Sequence, residues 1–341
     1  MIDRDPNPHV PAIPAYRKRM ARNGWSSAAA LVLTALLLPF APSRAGQPPA
    51  IESPALEGGR IRHGKDVSSA SVGPAAAGYR VLGRHPGAVL KDGGAYPFAK
   101  VVGTRAAYDG FAIDGPHLLI EGAAIEGGLD IYTTKPVVLR GSSVRAVKDG
   151  LWSIHQRPGA GPLYLLWSEA GGGRSARVGI GLLLRSEGAV IFRSHISGVL
   201  DGLRLTGHGY RISQSLIDGL VTRPGDHNDG IQTSPKARDI TIERSRIMNQ
   251  NPQTSSLLIR GSDIRLRDSY LAGGGWTLYG GASGNGHGGP SSSGLSVTGN
   301  IFGRDYFPKS GRFGPVTYWS ATSQWSGNTY DDGLPIEPPR R

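Results

Sequence analysis

The chain has 341 residues, with 38 Lys and Arg against 26 Asp and Glu, a formal net charge of +12, and no cysteine. The missing thiols exclude disulfides, zinc-thiolate centres and cysteine nucleophiles together. Glycine, at 51 residues, is about double its usual ~7% share, and no helical heptad or long amphipathic helical stretch occurs, which predicts many tight turns and excludes a helical solenoid.

In chain order, residues 1–45 read as a signal peptide. Arg17, Lys18, Arg19 and Arg22 form a positive n-region, residues 28–38 an apolar h-region, and Ser43-Arg44-Ala45 a small-x-small cleavage site. The apolar run falls short of the ~20 residues of a spanning helix. No stable membrane insertion is therefore expected after cleavage, retention as an anchor being the alternative. Translation from Met20 would give a more compact version of the same signal. A mature protein beginning near Gly46 is expected to be secreted or periplasmic, and it keeps a formal charge of +8. Such a charge suits anionic polysaccharide, anionic lipid or nucleic acid. Nucleic acid is set aside, because no later Lys/Arg block exceeds two residues and no nucleic-acid motif appears.

Residues 46–95, rich in Gly, Pro and Ala, read as a linker and N-terminal cap. Residues 96–330 then carry nine copies of one unit: apolar, two variable residues, a small or polar residue, one variable residue, and usually apolar again. Its small residues are Ala123, Ser142, Ser168, Ser194, Ser215, Ser245, Ser269, Asn300 and Asn328, between 19 and 31 positions apart. A coil of short strands has reason to repeat such a unit: apolar side chains point inward, and a Ser or Asn at each corner hydrogen-bonds along the stack. Uneven spacing fits rungs of constant strand length joined by loops of variable length. The predicted fold is all-β, a right-handed parallel β-helix, expected to be a monomer. Residues 331–341 read as a loose tail.

A second strand of each rung carries the chemistry. Its members begin at Asp149, Asp201, Asp229, Ser256, Gly275 and Pro315. Alternation with Leu203, Ile231 and Leu257 inward places Trp152, Arg204, Gln232, Leu258, Thr277 and Thr317 in one outward column. Arg260, Tyr279 and Trp319 would form the next. With parallel strands ~4.8 Å apart, this face is a ladder of polar and aromatic groups across which a long polymer can lie.

The densest polar cluster, residues 226–232, packs Asp226, His227, Asn228, Asp229 and Gln232 at a loop-to-strand junction. His227 can transfer a proton near neutral pH. Asp229 reads equally as a turn cap, because Asp-Gly opens three rungs. Calcium at Asp226 and Asp229 is the one cofactor left open, although two carboxylates fall short of the roughly six to eight oxygen ligands it takes. A second cluster, residues 274–281, combines glycines with Trp276 and Tyr279 and precedes a Gly-rich stretch holding His287. A third, Asp305 to Lys309, offers an amine for a carboxylate.

These repeats, together with His227-Asn228-Asp229-Gly230-Ile231-Gln232, Trp276-Thr277-Leu278-Tyr279-Gly280-Gly281 and Phe307-Pro308-Lys309, resemble secreted bacterial right-handed β-helix proteins of the pectate-lyase-like group, over roughly residues 96–330. The resemblance implies a groove along one parallel sheet that takes polysaccharide, usually uronate-rich. That group spans lyases, epimerases, hydrolases and noncatalytic adhesins. Polygalacturonase-like hydrolases are a poor match, since Gly207-His208-Gly209 precedes Asn228-Asp229 and no Arg-Ile-Lys follows. Asp226-His227-Asn228-Asp229 is similar to the Asp-Pro-His-Asp of mannuronan epimerases but lacks the Pro and has an extra residue.

The expected function is therefore an exported enzyme on an acidic, uronate-containing polysaccharide, a lyase before an epimerase, with a noncatalytic polysaccharide-binding protein as the alternative. β-Elimination needs a cation on the C6 carboxylate, a base for the C5 proton and an acid for the leaving oxygen. Arg260 or Lys309 would neutralise, His227 would be the base and Tyr279 the acid. Gln232, Asp229 and Arg204 would orient the sugar. In a binding protein Trp152, Trp319 and Tyr279 would be stacking platforms.

Overall fold

The nine repeated units are nine corners of a parallel β-helix. The computed structural model describes residues 61–147, 150–173, 178–222, 225–282, 292–319 and 323–337. The expected signal peptide, the expected start near Gly46, residues 46–60, Asp149, His287 and residues 338–341 lie outside the described residues. Each unit straddles a corner between two strands. Before the corner Ile191, Ile212, Ile242, Leu266 and Val297 pair in register. After it Ile196, Ile217, Ile247, Leu271 and Phe302 do the same. All of them are fully buried, forming continuous aliphatic stacks along the axis.

The corner residues hydrogen-bond from rung to rung. The Ser142 N–H donates to Ser168 Oγ, Ser168 to Ser194 and Ser194 to Ser215. Ser215 donates to Ser245, Ser245 to Ser269, Ser269 to Asn300 Oδ1 and Asn300 to Asn328 Oδ1, at 2.9–3.3 Å throughout. Each hydroxyl in turn donates to the carbonyl two residues earlier, as from Ser194 to Phe192 and from Ser215 to Ser213. The residue before every corner is left-handed: Gly122, Gly141, Trp167, Arg193, Gln214, Arg244, Asp268, Gly299 and Gly327 all have φ between 46° and 63°. Five are not glycine, at about 1–2 kcal/mol each. Their side chains offset this by contacts between rungs. Arg193 lies 5.0 Å over the Trp167 ring and donates to Gln214 Oε1 at 2.8 Å.

Each rung carries three strands. The first set forms a 10-stranded sheet. The second and third sets, on either side of a further bend, belong to one 17-stranded sheet because the long strand Ala123–Ile131 pairs with both Ser143–Ala146 and Gly150–Gln156. The third set continues through Val178–Leu184, Asp201–Leu205, Asp229–Thr233, Ser255–Leu258, Trp276–Tyr279 and Gly314–Thr317. Both ends are covered. At the first rung Lys100–Val102 pairs antiparallel with His117–Glu121, while the hairpin residues Phe111 and Ile113 pack on the outer face of the ten-stranded sheet, against Val138, Leu166, Trp167 and Phe192 of successive rungs. At the other end the Ile336 N–H reaches Asn328 O and the Trp325 indole donates to Ile336 O.

Residues 61–95, expected as linker and cap, divide in two. The strand Leu82–Leu90 already belongs to the coil, paired with Ala123–Ile131. Residues 61–81 run lengthwise as a strap whose contacts fall on the left-handed corners. His63 Nε2 meets Gly299 O, and the N–H groups of Gly64, Gly73 and Leu82 donate to Asp268, Arg193 and Gly122 carbonyls. Ile61, Val67 and Val72 bury themselves against Leu216.

The corner ladder makes a direct prediction. Ser215→Ala leaves the buried Ser194 N–H without its acceptor, so it should lower unfolding free energy by about 1–3 kcal/mol. Chemical denaturation checks it; wild-type stability would show that the ladder contributes nothing.

Candidate functional site

The outward face of the third strand set is the candidate site, and its register differs from simple alternation. At the bend two successive residues face inward. Ser153, Ser256 and Thr277 occupy the first of these positions and are fully buried, as are Ile154, Leu257 and Leu278 in the second. In other rungs the first is Gly202 or Gly230, where a Cβ would come within 2.5–2.6 Å of Ile217 or Ile247 Cγ2. That is why Asp-Gly recurs at these strand starts. Two outward columns result. Trp152, Ile180 and Asp201 stack at the strand starts, as do Asp229 and Ser255. Asp130, His155, Leu183, Arg204, Gln232, Leu258, Tyr279 and Thr317 form the second column. Trp152 and Thr277, expected beside Arg204, are therefore displaced: Trp152 stands in the other column, and Thr277 turns inward and hydrogen-bonds Ser310 Oγ at 2.8 Å. Tyr279 takes the place assigned to Thr277.

The residues Arg204, Asp229, Gln232, Arg260 and Tyr279 come together. Asp201 Oδ1 accepts from the Asp229 N–H at 3.0 Å, and Asp229 Oδ1 accepts from Ser255 N and Oγ at 3.0 and 2.5 Å. Asp229 is thus a turn cap, beneath the face. Burial pushes its pKa up to about 7 against the Ser255 hydroxyl bond, with the Asp201 charge adding to the rise. Burial also raises Asp201, whose Oδ2 holds Arg204 Nη2 at 2.6 Å. Burial lowers Arg260, Asp229 counteracts it and Arg204 adds to it. Tyr279 is raised by burial, then by Asp229 and Tyr318, so its phenol stays protonated at neutral pH.

Trp319 is not an outer platform. It is half-buried, packs on the core and meets Trp325 edge-on at 5.1 Å. Its neighbour Tyr318 is exposed and stacks on Tyr279 at 5.8 Å, a platform sequence alternation could not choose over Trp319. His227 and Lys309 are both exposed, on loops that lead into strands of the face. Each sits beside an anchor. Asn228 is fully buried and receives Asn249 and Asn251 amides, and Ser310 is fully buried against Thr277.

A cluster missed in the sequence lies two rungs from Arg204 on the same face. His155 is 1% exposed. Its Nδ1 stands 3.3 Å from Asp130 Oδ1, out of hydrogen-bonding alignment, and neither ring nitrogen has a hydrogen-bond partner. Burial, then the Arg157 charge, pushes its pKa down to about 4, Asp130 opposing and Arg185 reinforcing. Arg157 grips Asp130 through Nε and Nη2 at 3.0 and 3.1 Å and lies 5.0 and 5.1 Å from the Trp152 and Tyr132 rings. The Trp152 ring meets His155 edge-on at 4.5 Å. Only the bend, which lets Trp152 and His155 share a face three residues apart, makes this cluster visible.

Among the described residues no group of three or more His, Asp or Glu could hold a metal ion, and no helix is long and apolar enough to cross a membrane. Compared with known protein families, with curated proteins and with solved structures, the chain matches none.

Asp229 gives a pH prediction. Its folded pKa, about 7, stands above the ~3.9 of an unfolded aspartate. The folded state therefore holds a proton that the unfolded state has lost, and stability falls as pH rises from about 4 to 7. Asp229→Asn should flatten the unfolding free energy across that window. An unchanged slope in denaturation at pH 4.5 and 7.5 would place the titration elsewhere.

Proposed function

We propose that the chain takes an acidic, uronate-containing polysaccharide along the outward face of the third strand set and cuts it by β-elimination. One observation carries the substrate class. Arg204 stands on this face, and Arg157, Arg185 and Arg260 follow the ends of strands in the same stack, so four guanidiniums recur along the axis. Asp130 is the sole carboxylate in the Arg204 column, and Arg157 already engages it. Rungs ~4.8 Å apart then present cations at intervals of a few ångströms to a linear polyanion. The exposed Tyr318 ring, stacked on Tyr279, gives one sugar an apolar floor.

The chemistry follows from what stands beside those cations. Arg204 and Arg260 neutralise a uronate carboxylate, which makes the C5 proton acidic. A base removes that proton, the electron pair forms the C4–C5 double bond, and the C4–O bond breaks. Tyr279, kept protonated by its buried setting, gives the leaving oxygen its proton. His227 on the rim is the base within this scheme, and Gln232, between Arg204 and Leu258 in the ladder, orients the sugar. Export through residues 1–45 belongs to the same proposal, with secreted protein starting near Gly46.

The test is incubation of the full chain with alginate, pectate and other uronate polymers while following the absorbance of unsaturated uronate. Wild type should generate product. Tyr279→Phe should lower kcat by roughly 10²–10⁴-fold with polymer retention intact. Arg260→Ala should weaken retention about tenfold or more, the worth of a hydrogen bond to a charged group. Retention without product from any polymer would leave binding alone as the function. Absence of both product and retention would overturn the proposal.

A further inference from the structure

Arg157 and Arg185 enter the scheme above only as cations along the face, and the His155 and Trp152 beside them have no role in it. An imidazole whose Nδ1 faces only a misaligned Asp130 carboxylate at 3.3 Å, whose Nε2 has no hydrogen-bond partner and which has almost no exposed surface is costly, since its lost hydration is not replaced by a good hydrogen bond. Packing does not require it. The same column position is filled by leucine in two other rungs, Leu183 and Leu258. Nor does it serve an ion pair, because its burial and the neighbouring Arg157 and Arg185 keep the ring neutral at neutral pH. Half-buried Trp152 lies against it in a T-shaped contact, 4.5 Å between ring centroids, and half-buried Arg157 lies 5.0 Å from the Trp152 ring in turn.

We infer that Trp152, His155 and Arg157 form a second sugar subsite on this face, closed in the free protein, which a uronate residue opens by displacing the Trp152 ring. This inference rests on the polysaccharide reading of the face. The chemistry of the pieces is complementary to one sugar unit. A neutral imidazole carries one N–H and one lone pair. The Asp130 carboxylate beside Nδ1 favours the proton there, which leaves the Nε2 lone pair to accept a sugar hydroxyl. Arg157 sits between the Trp152 and Tyr132 rings with Asp130 as its present partner, and a sugar carboxylate competes for that guanidinium. Exposed Arg185, one rung on, is close enough for its charge to act on His155 and supplies a second cation. The Trp152 ring, once displaced, presents an apolar face to the sugar ring. His155 and Arg204 are two rung spacings apart, about 10 Å, so one oligosaccharide spans both subsites.

The experiment is calorimetric titration of the full chain with short uronate oligosaccharides and with neutral gluco-oligosaccharides, beside thermal melting. Wild type, His155→Leu and Trp152→Phe are compared. The inference expects an opposite pair of effects in His155→Leu: a melting temperature equal to or above wild type, and a Kd for the uronate oligosaccharide weakened about five- to tenfold, the worth of one hydrogen bond. Binding should also change the tryptophan fluorescence of wild type, and Trp152→Phe should remove most of that change. Wild-type affinity in His155→Leu overturns the inference, with or without a lower melting temperature, and leaves the polysaccharide reading standing. Binding of neutral oligosaccharides alone, with the same His155 dependence, keeps the subsite and overturns the acidic substrate. No binding of either class to wild type overturns both.

Discussion

Everything in this molecule hangs on the corner where a left-handed residue precedes a buried Ser or Asn. The left-handed turn swings the chain out of one sheet and into the next, and it takes the following N–H out of both ladders. That N–H would be a buried orphan. The side-chain oxygen one rung away accepts it, and at the Ser corners the same hydroxyl donates a hydrogen bond to a carbonyl of its own rung. Each corner is thus satisfied only by its neighbour, so a single rung is not a stable object and a stack of them is. The aliphatic columns on either side of the corner add burial, but the corner sets the register in which they meet.

The register has a functional consequence at the second bend. Because two successive residues turn inward there, side chains three positions apart are brought onto one face. Trp152 thereby meets His155, and Asp201 meets Arg204 in a 2.6 Å ion pair. A flat strand would have placed each pair on opposite faces. The bend also puts Asp201 and Asp229 where backbone N–H groups need acceptors, which sinks carboxylates beneath a face whose outer groups are cationic. Polarity is layered here: carboxyl groups at the turn, guanidiniums above it.

The corner units were legible in the sequence because the coil repeats a chemical need, a small polar residue between two apolar ones, at every rung. Ile191, Ser194 and Ile196 announce it as plainly as any rung does. The site was legible in part. Arg204, Gln232 and Arg260 follow from a strand with alternating faces, and Tyr279 stands near them one column away from where alternation put it. Trp152, Thr277 and Trp319 did not follow, because alternation fails at a bend whose only trace is a Ser, Gly or Thr before the inward aliphatic residue. His155 carries no outward signal for the same reason: it stands three residues from Trp152, which simple alternation puts on opposite faces. Tyr318 and Trp319 are adjacent aromatics, and only tertiary packing decides which goes inside. The strap was illegible because its partners are backbone carbonyls, which carry no residue signature.

That strap orders events in time. A chain is made from its N-terminus, so residues 61–81 exist long before the corners they bind. Gly64 needs the Asp268 carbonyl and His63 needs that of Gly299, more than two hundred residues later in the chain. These acceptors come into position only when the late rungs have stacked on the early ones. The strap is consequently seated backwards, from the Gly122 corner toward the Gly299 corner as the coil lengthens, and the end around His63 and Gly64 is seated last. It works as a closing seam: a coil missing its final rungs would leave the front of the strap without the Asp268 and Gly299 carbonyls it binds.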